Sequence, residues 1–178
     1  MTTYTRLTSG NASCSGVGCQ GVGSLEFALA VDNLQLPPRY TMSIVATFMV
    51  EGQKPVAGTE IFFVLQDFLP ATPYGLEYAI VLYASGSYEI VKANCTTASS
   101  GCGITGDMGD GSLDITRSHT FGYQYDGKTT YAVMDGLKTD MKSLKSPASF
   151  KYAQIAVISP DQHTPVSANF SDFRIQSD

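Results

Sequence analysis

Four glutamates hold the clearest capacity for chemistry in this chain, and Glu51, Glu60, Glu77 and Glu89 each stand alone on a predicted strand. Cleaving a glycosidic bond takes two carboxyl groups about 5–10 Å apart, one to give a proton and one to attack or accept. Two of these could meet from neighbouring strands, for example Glu77 and Glu89 across a turn at 85–87. The simpler reading leaves them as solvent-facing strand residues. Asp107, Asp110 and Asp114, with Ser112, offer hard oxygen donors of the kind Ca²⁺ takes on a flexible loop. That spacing lacks the closing Glu of an EF-hand, and a solvated turn cluster accounts for it equally. His119 opens a strand, and His163 lies in a loop between Pro160 and Pro165. No nucleophile elbow, His-Glu-x-x-His zinc motif or phosphate-binding glycine loop is present.

The aromatic residues offer a different chemistry. There are ten Tyr, nine Phe and no Trp, and sugar-binding faces combine flat rings with a few amide and carboxylate groups. Tyr83, Tyr88, Tyr123, Tyr125 and Tyr131 could serve as platforms with Gln124 and Glu77 as polar partners, although at least half of these rings fit packing between sheets. The expected ligand-binding set is Glu77, Tyr83, Tyr88, Tyr123, Gln124 and Tyr125. The absence of Trp weighs against an endo-acting cleft.

Cys14 and Cys19 lie in Gly/Ser-rich sequence, as do Cys95 and Cys102. Two pairs inside predicted loops read as disulfides of an oxidising compartment. Local pairing, Cys14–Cys19 and Cys95–Cys102, closes the smaller rings. Zinc is the rival, but four and six intervening residues are wider than the usual ribbon or finger. Sequons at Asn11, Asn94 and Asn169 agree with secretion and make these three the candidate glycosylation sites.

The elements that would position these residues are strands. Residues 119–136 form two alternating runs meeting at Asp126-Gly127, a hairpin signature, and a second Asp-Gly at 135–136 ends the second run. Further strands are predicted over 25–31, 40–51, 60–68, 76–83, 88–93, 150–158 and 166–176. The 60–68 run is apolar on both faces, as a central strand would be. Residues 9–24 and 94–112 read as surface loops, and 137–149 as a polar connection with room for a helical turn near 140–144. About nine or ten strands in one domain spanning 1–178 are expected, with no internal repeat.

Composition narrows the class. The chain has 178 residues, is 43% hydrophobic and carries a formal net charge of -5, so it is apolar enough for a full core. It lacks the basic footprint of a nucleic-acid binder. No apolar run reaches the roughly 18–20 residues needed to span a bilayer, so membrane insertion is not expected. Met1-Thr2-Thr3-Tyr4 does not look like a signal peptide, yet the cysteines and sequons point to an extracellular home.

Two stretches carry a family resemblance. The 119–136 hairpin resembles the late hairpin of laminin-G-like and other concanavalin A-like domains. Ala168-Asn169-Phe170-Ser171-Asp172-Phe173-Arg174-Ile175 resembles their closing strand. The resemblance covers roughly the last third of the chain and implies an all-β, antiparallel two-sheet jelly-roll sandwich. That superfamily holds lectins, adhesion modules, glycosidases and polysaccharide lyases, and fold does not choose among them. The Glu-x-Asp-x-Glu motif of its retaining glucanases is missing here, and neither histidine stands where its alginate-lyase-like members place one. In laminin-G-like members a histidine at the position of His119 packs and hydrogen-bonds. These departures favour a secreted, non-catalytic recognition or adhesion module binding glycan or an extracellular protein. The alternatives are a structural subunit of a filament, coat or matrix, with homo-oligomer contacts, and a polysaccharide-active enzyme, glycosidase or lyase.

Overall fold

A computed structural model describes residues 7–9, 25–31, 36–48, 55–66, 75–97, 101–141, 150–158 and 166–177, with backbone alone at some strand ends. The elements are β1 (Leu7–Ser9), β2 (Leu25–Val31), β3 (Tyr40–Thr47), β4 (Glu60–Gln66), β5 (Gly75–Tyr83) and β6 (Ser87–Thr97). They continue with β7 (Gly101–Ser112), β8 (His119–Tyr125), β9 (Thr130–Met134), β10 (Leu137–Asp140), β11 (Tyr152–Ile158) and β12 (Val166–Ser177). Sheet A runs β1-β12-β3-β8-β9-β10 and sheet B runs β2-β11-β4-β5-β6-β7. Every ladder is antiparallel. The chain crosses between sheets after β1, β2, β3, β7, β10 and β11, which makes the expected jelly-roll sandwich.

The core follows from side-chain alternation. Tyr40, Met42, Ile44 and Ala46 of β3, and Phe121 and Tyr123 of β8, meet Ile61, Phe63 and Leu65 of β4 and Ile80 and Leu82 of β5. Phe63 is the hinge of this packing, edge-on to Phe121, Tyr123 and Phe173 with ring centroids 5.8, 5.2 and 6.3 Å away. Strands of sheet A such as β3 and β9 alternate buried and half-buried residues, whereas β4 and β11 are buried on nearly every residue. The outward positions from Val64 and Gln66 to β11 are therefore shielded, whereas Glu60, Phe62 and Tyr83 are half-buried, and this face carries a second small apolar cluster of Val64, Ala79, Val81 and Val91 beside Phe62 and Tyr83.

Three expectations are corrected. Residues 94–112 are not a loop: β6 extends to Thr97 and β7 fills 101–112 as the edge of sheet B. Glycine and aspartate mark turns locally, but an edge strand beside a long partner tolerates them at the cost of bulges, and three register shifts interrupt this ladder. The polar connection after 136 begins with β10. Asp135 and Gly136 both take positive φ, 48° and 84°, and pair Met134 with Leu137 in a two-residue turn. At Asp126-Gly127 only Gly127 has positive φ, 93°. That loop is instead four residues wide, and the Asp126 carboxylate accepts from the Lys128 and Thr129 amides at 2.8 and 2.7 Å. Among the described residues there are twelve strands where nine or ten were expected.

Candidate functional site

Register decides which carboxylates meet. Glu77 pairs with Gln66 and Ala93, while Glu89 pairs with Val81, so the register sets Glu77 and Glu89 four positions apart along β5 rather than opposite one another. Glu60 is opposite Tyr83 on β5, and Tyr83 is opposite Ser87 on β6, two residues before Glu89. Alternation puts Glu60, Tyr83 and Glu89 on the outer face of sheet B, since Ile61, Leu82 and Ile90 between them point into the core. The Tyr83 hydroxyl donates to Glu89 Oε2 at 3.0 Å. Neighbouring strands lie ~4.8 Å apart, so β4 and β6 stand about 10 Å apart across the sheet with Tyr83 between them.

The electrostatics of this triad differ from those of an ordinary surface. Burial first, and then the charge of Glu89, push the Glu60 carboxyl above its ordinary range. The Tyr83 phenol is raised by burial, by its bond to Glu89 and by the two glutamate charges. A half-buried carboxyl whose proton affinity is raised, beside a second carboxyl that accepts from a phenol, is the kind of asymmetric pairing that acid–base chemistry uses. Asp110 of β7 lies directly opposite Glu89 and is exposed. At the other end of the face Gln66, Tyr152 and Gln154 are buried with only 6–9% exposure, a polar floor beyond the apolar cluster.

The sequence-predicted binding set is dispersed. Tyr83 belongs to the triad. Tyr123 is fully buried between the sheets, and its hydroxyl donates to the Phe63 and Tyr78 carbonyls at 2.8 and 3.1 Å. Tyr125 packs inward on Tyr40 with ring centroids 6.2 Å apart, and Tyr88 packs inward at the sandwich margin. Gln124 faces outward on sheet A, and Glu77 stands on β5 at the register given above. A single face cannot present all six, because inward and outward positions alternate along β8 and sheets A and B present opposite outer faces. Glu60 was passed over because nothing near it in sequence pairs with it.

The aspartates considered for Ca²⁺ fall on a strand and a loop, and the side chain of Asp107 lies outside what is described. Asp107 and Asp110 pair with Val91 and Glu89 along β7. Asp114 turns on its own loop, accepting from the Thr116 amide and hydroxyl at 3.0 and 2.6 Å. Among the described residues, no three His, Cys, Asp or Glu side chains form a group that could hold a metal ion. His119 is fully buried. Its Nδ1 meets Asp135 Oδ2 and its Nε2 donates to the Asp114 carbonyl, both at 2.8 Å. This is a packing and hydrogen-bonding role that joins the two loops flanking β8 and β9. Cys14, Cys19, Asn11 and His163 lie outside the described residues. Cys95 stands opposite Cys102 in the β6–β7 ladder, and Asn94 and Asn169 sit on β6 and β12 rather than on loops.

The architecture is that of the concanavalin A-like jelly rolls. The chain is similar to a variant of the family 7 alginate lyase A1-II' in complex with a substrate (GGMG), at 11% identity and a TM-score of 0.61, covering 97% of this chain and 77% of that one. It is similar to the carbohydrate binding module CBM66 from Bacillus subtilis, at 10% identity and a TM-score of 0.51, over 98% and 97% of the two chains. It also resembles a variant of LamA from Z. galactanivorans in complex with laminaritriose and laminaritetraose, at 10% identity and a TM-score of 0.50, over 83% and 66%. No protein-family profile and no curated protein matches the sequence. At these identities the likeness establishes the fold. The weight of alginate lyases among these neighbours nonetheless overturns the preference for a non-catalytic recognition module and favours the polysaccharide-active alternative. No helix among the described residues is long and apolar enough to cross a membrane.

Proposed function

We propose that this chain is a polysaccharide-active enzyme that cleaves glycosidic bonds on the outer face of sheet B, with Glu60 as general acid and Glu89 as the second carboxyl of the pair. The observation that carries this reading is the Glu60–Tyr83–Glu89 arrangement, in which one carboxyl is pushed up and the other is held by a phenol. In such a pair, Glu60 protonates the leaving oxygen while Glu89 attacks the anomeric carbon or activates a water. Tyr83 positions Glu89 and, with Phe62, offers an apolar ring face to the sugar. Hydrolysis fits this face better than elimination. A lyase must neutralise a uronate carboxylate, and the described positions of this face hold Glu60, Glu89 and Asp110 with no Arg, Lys or His. The substrate partner is a glycan. An extracellular setting fits a polymer substrate, and the sequons at Asn94 and Asn169 agree with it.

The test is a panel of neutral and uronic-acid polysaccharides, assayed both for new reducing ends and for the unsaturated product of elimination. Reducing ends without unsaturation, lost in Glu60→Gln, are expected. Unsaturated product would shift the reaction to a lyase, and no turnover of any polysaccharide would overturn the enzymatic reading.

A further inference from the structure

Strand β7 poses a problem of register. Five of its twelve residues are glycine (Gly101, Gly103, Gly106, Gly109 and Gly111), and it pairs on one side only, at the edge of sheet B. Glycine-rich strands specify register weakly, and a slip of one residue turns every side chain to the opposite face. The ladder to β6 is already broken by shifts at Ile90/Val91, Lys92/Ala93 and Cys95/Thr97. It also sets Glu89 directly against Asp110, and like charges in that position disfavour the pairing. Two contacts favour the observed register. The Tyr88 ring covers Gly111, where a Cβ would collide with it, and Gly109 closes on Thr139. Both act near the β10 side of the strand, so the far end needs a fastening of its own.

That end holds Cys95 opposite Cys102. Directly opposed residues in an antiparallel ladder have Cα atoms ~4.5 or ~5.5 Å apart, and both values fall within the roughly 4.4–6.8 Å that a disulfide spans. We propose that Cys95 and Cys102 form a cross-strand disulfide that locks the register of β7 against β6 at the end of the ladder far from Gly109 and Gly111. The proposal rests on the ladder alone and stands whether or not the chain cleaves polysaccharide. Formation needs a disulfide oxidant, either a small-molecule disulfide or a thiol–disulfide oxidoreductase. One cysteine thiolate attacks the oxidant's S–S bond and expels one thiolate. The second cysteine thiolate then attacks the mixed disulfide and expels the other. Two cysteine thiols are oxidised, one oxidant disulfide is reduced to two thiols, and the cysteine protons pass to the departing sulfurs. The bridge closes a short ring at the hairpin tip, so its effect is on local register more than on global stability.

Peptide mapping of the whole protein after thiol blocking, without reductant, should recover Cys95 and Cys102 in one linked species. Both residues in alkylated form, or either one bridged to Cys14 or Cys19, would overturn the proposal. Amide hydrogen exchange reads the register. Cys95→Ser/Cys102→Ser should raise exchange along β7 by about tenfold while β4 and β5 stay within about twofold. If that variant does not fold, the native protein reduced by a phosphine and then alkylated gives the same readout. Protection of β7 unchanged by loss of the bridge would overturn the locking role.

Discussion

Two sets of carboxylates on this sandwich are treated in opposite ways. On sheet A, Asp114, Asp126 and Asp135 sit at the ends of the β8–β9 hairpin and each receives hydrogen bonds from the chain itself. Asp126 takes the Lys128 and Thr129 amides, Asp114 takes Thr116, and Asp135 takes the Thr120 amide at 2.9 Å and His119 at 2.8 Å. Backbone amides hold the Asp126 carboxyl below its ordinary value, and the Thr116 hydroxyl and amide do the same for Asp114. On sheet B, Glu60 and Glu89 face one another over Tyr83, and Glu60 is pushed up instead. Acids supplied with donors organise turns. An acid partly shielded from water and set beside its own kind has its proton affinity raised.

If this contrast is sound, changes on sheet B should cost activity without stability, and changes around the hairpin should cost stability without activity. The largest effect is expected from Glu60→Gln and Glu89→Gln, each lowering kcat/KM by about 10²–10⁴ with little change in Tm, measured on the substrate found in the panel. A large fall in Tm for both would reassign the pair to structure. Next, His119→Ala should destabilise the fold by about 2–4 kcal/mol in denaturant titration, because it empties a buried site and removes one hydrogen bond each from the Asp114 carbonyl and Asp135. Turnover per folded molecule should hold; its selective loss would give His119 a chemical role. Tyr123→Phe removes a hydroxyl that donates to two carbonyls of sheet B and should cost about 1–2 kcal/mol in the same assay. A neutral result would show those carbonyls satisfied elsewhere.

The smallest effect is in the pH dependence of stability, and its sign separates the two regions. Glu60 has a raised value in the folded state, so the folded protein binds the proton more tightly than the unfolded chain. Stability should fall as pH rises from the ordinary carboxylate value through the raised one, and Glu60→Gln should abolish that fall. Asp114 and Asp126 are depressed, so their contribution is present above the ordinary value of 3.8 and is lost as pH drops through their folded values. Thermal melts of the native protein, Glu60→Gln and Asp126→Asn across the acid range would reveal the opposing slopes. Identical slopes in all three would erase the comparison.

The hairpin was legible because its signals are local. His119, Phe121 and Tyr123 alternate with Thr120, Gly122 and Gln124, and the Asp-Gly pairs mark both turns. The second Asp-Gly was read as an end when it is a hairpin turn into β10, since Leu137–Asp140 is too short and polar to announce a strand. Residues 94–112 misled for the related reason that their glycines describe a loop in isolation, while β6 supplies the hydrogen bonds that make them a strand. Tyr83 and Tyr123 both stand at alternating strand positions, so sequence could not tell the outward phenol from the buried one. Glu60 and Glu89 are separated by a whole strand and two turns, and no motif joins them.

Alternation and turn chemistry, properties of neighbouring residues, determine most of the strands and the β8–β9 hairpin from sequence alone, but not β7 or β10, whose strand character depends on the partner each pairs with. The relative register of β4, β5 and β6 was decided by tertiary packing, as the inward positions of sheet B found their places against Phe121 and Tyr123. The outward face then had no freedom left. With period-two alternation, seating Ile61, Leu82 and Ile90 in the core brings Glu60, Tyr83 and Glu89 together on the other side.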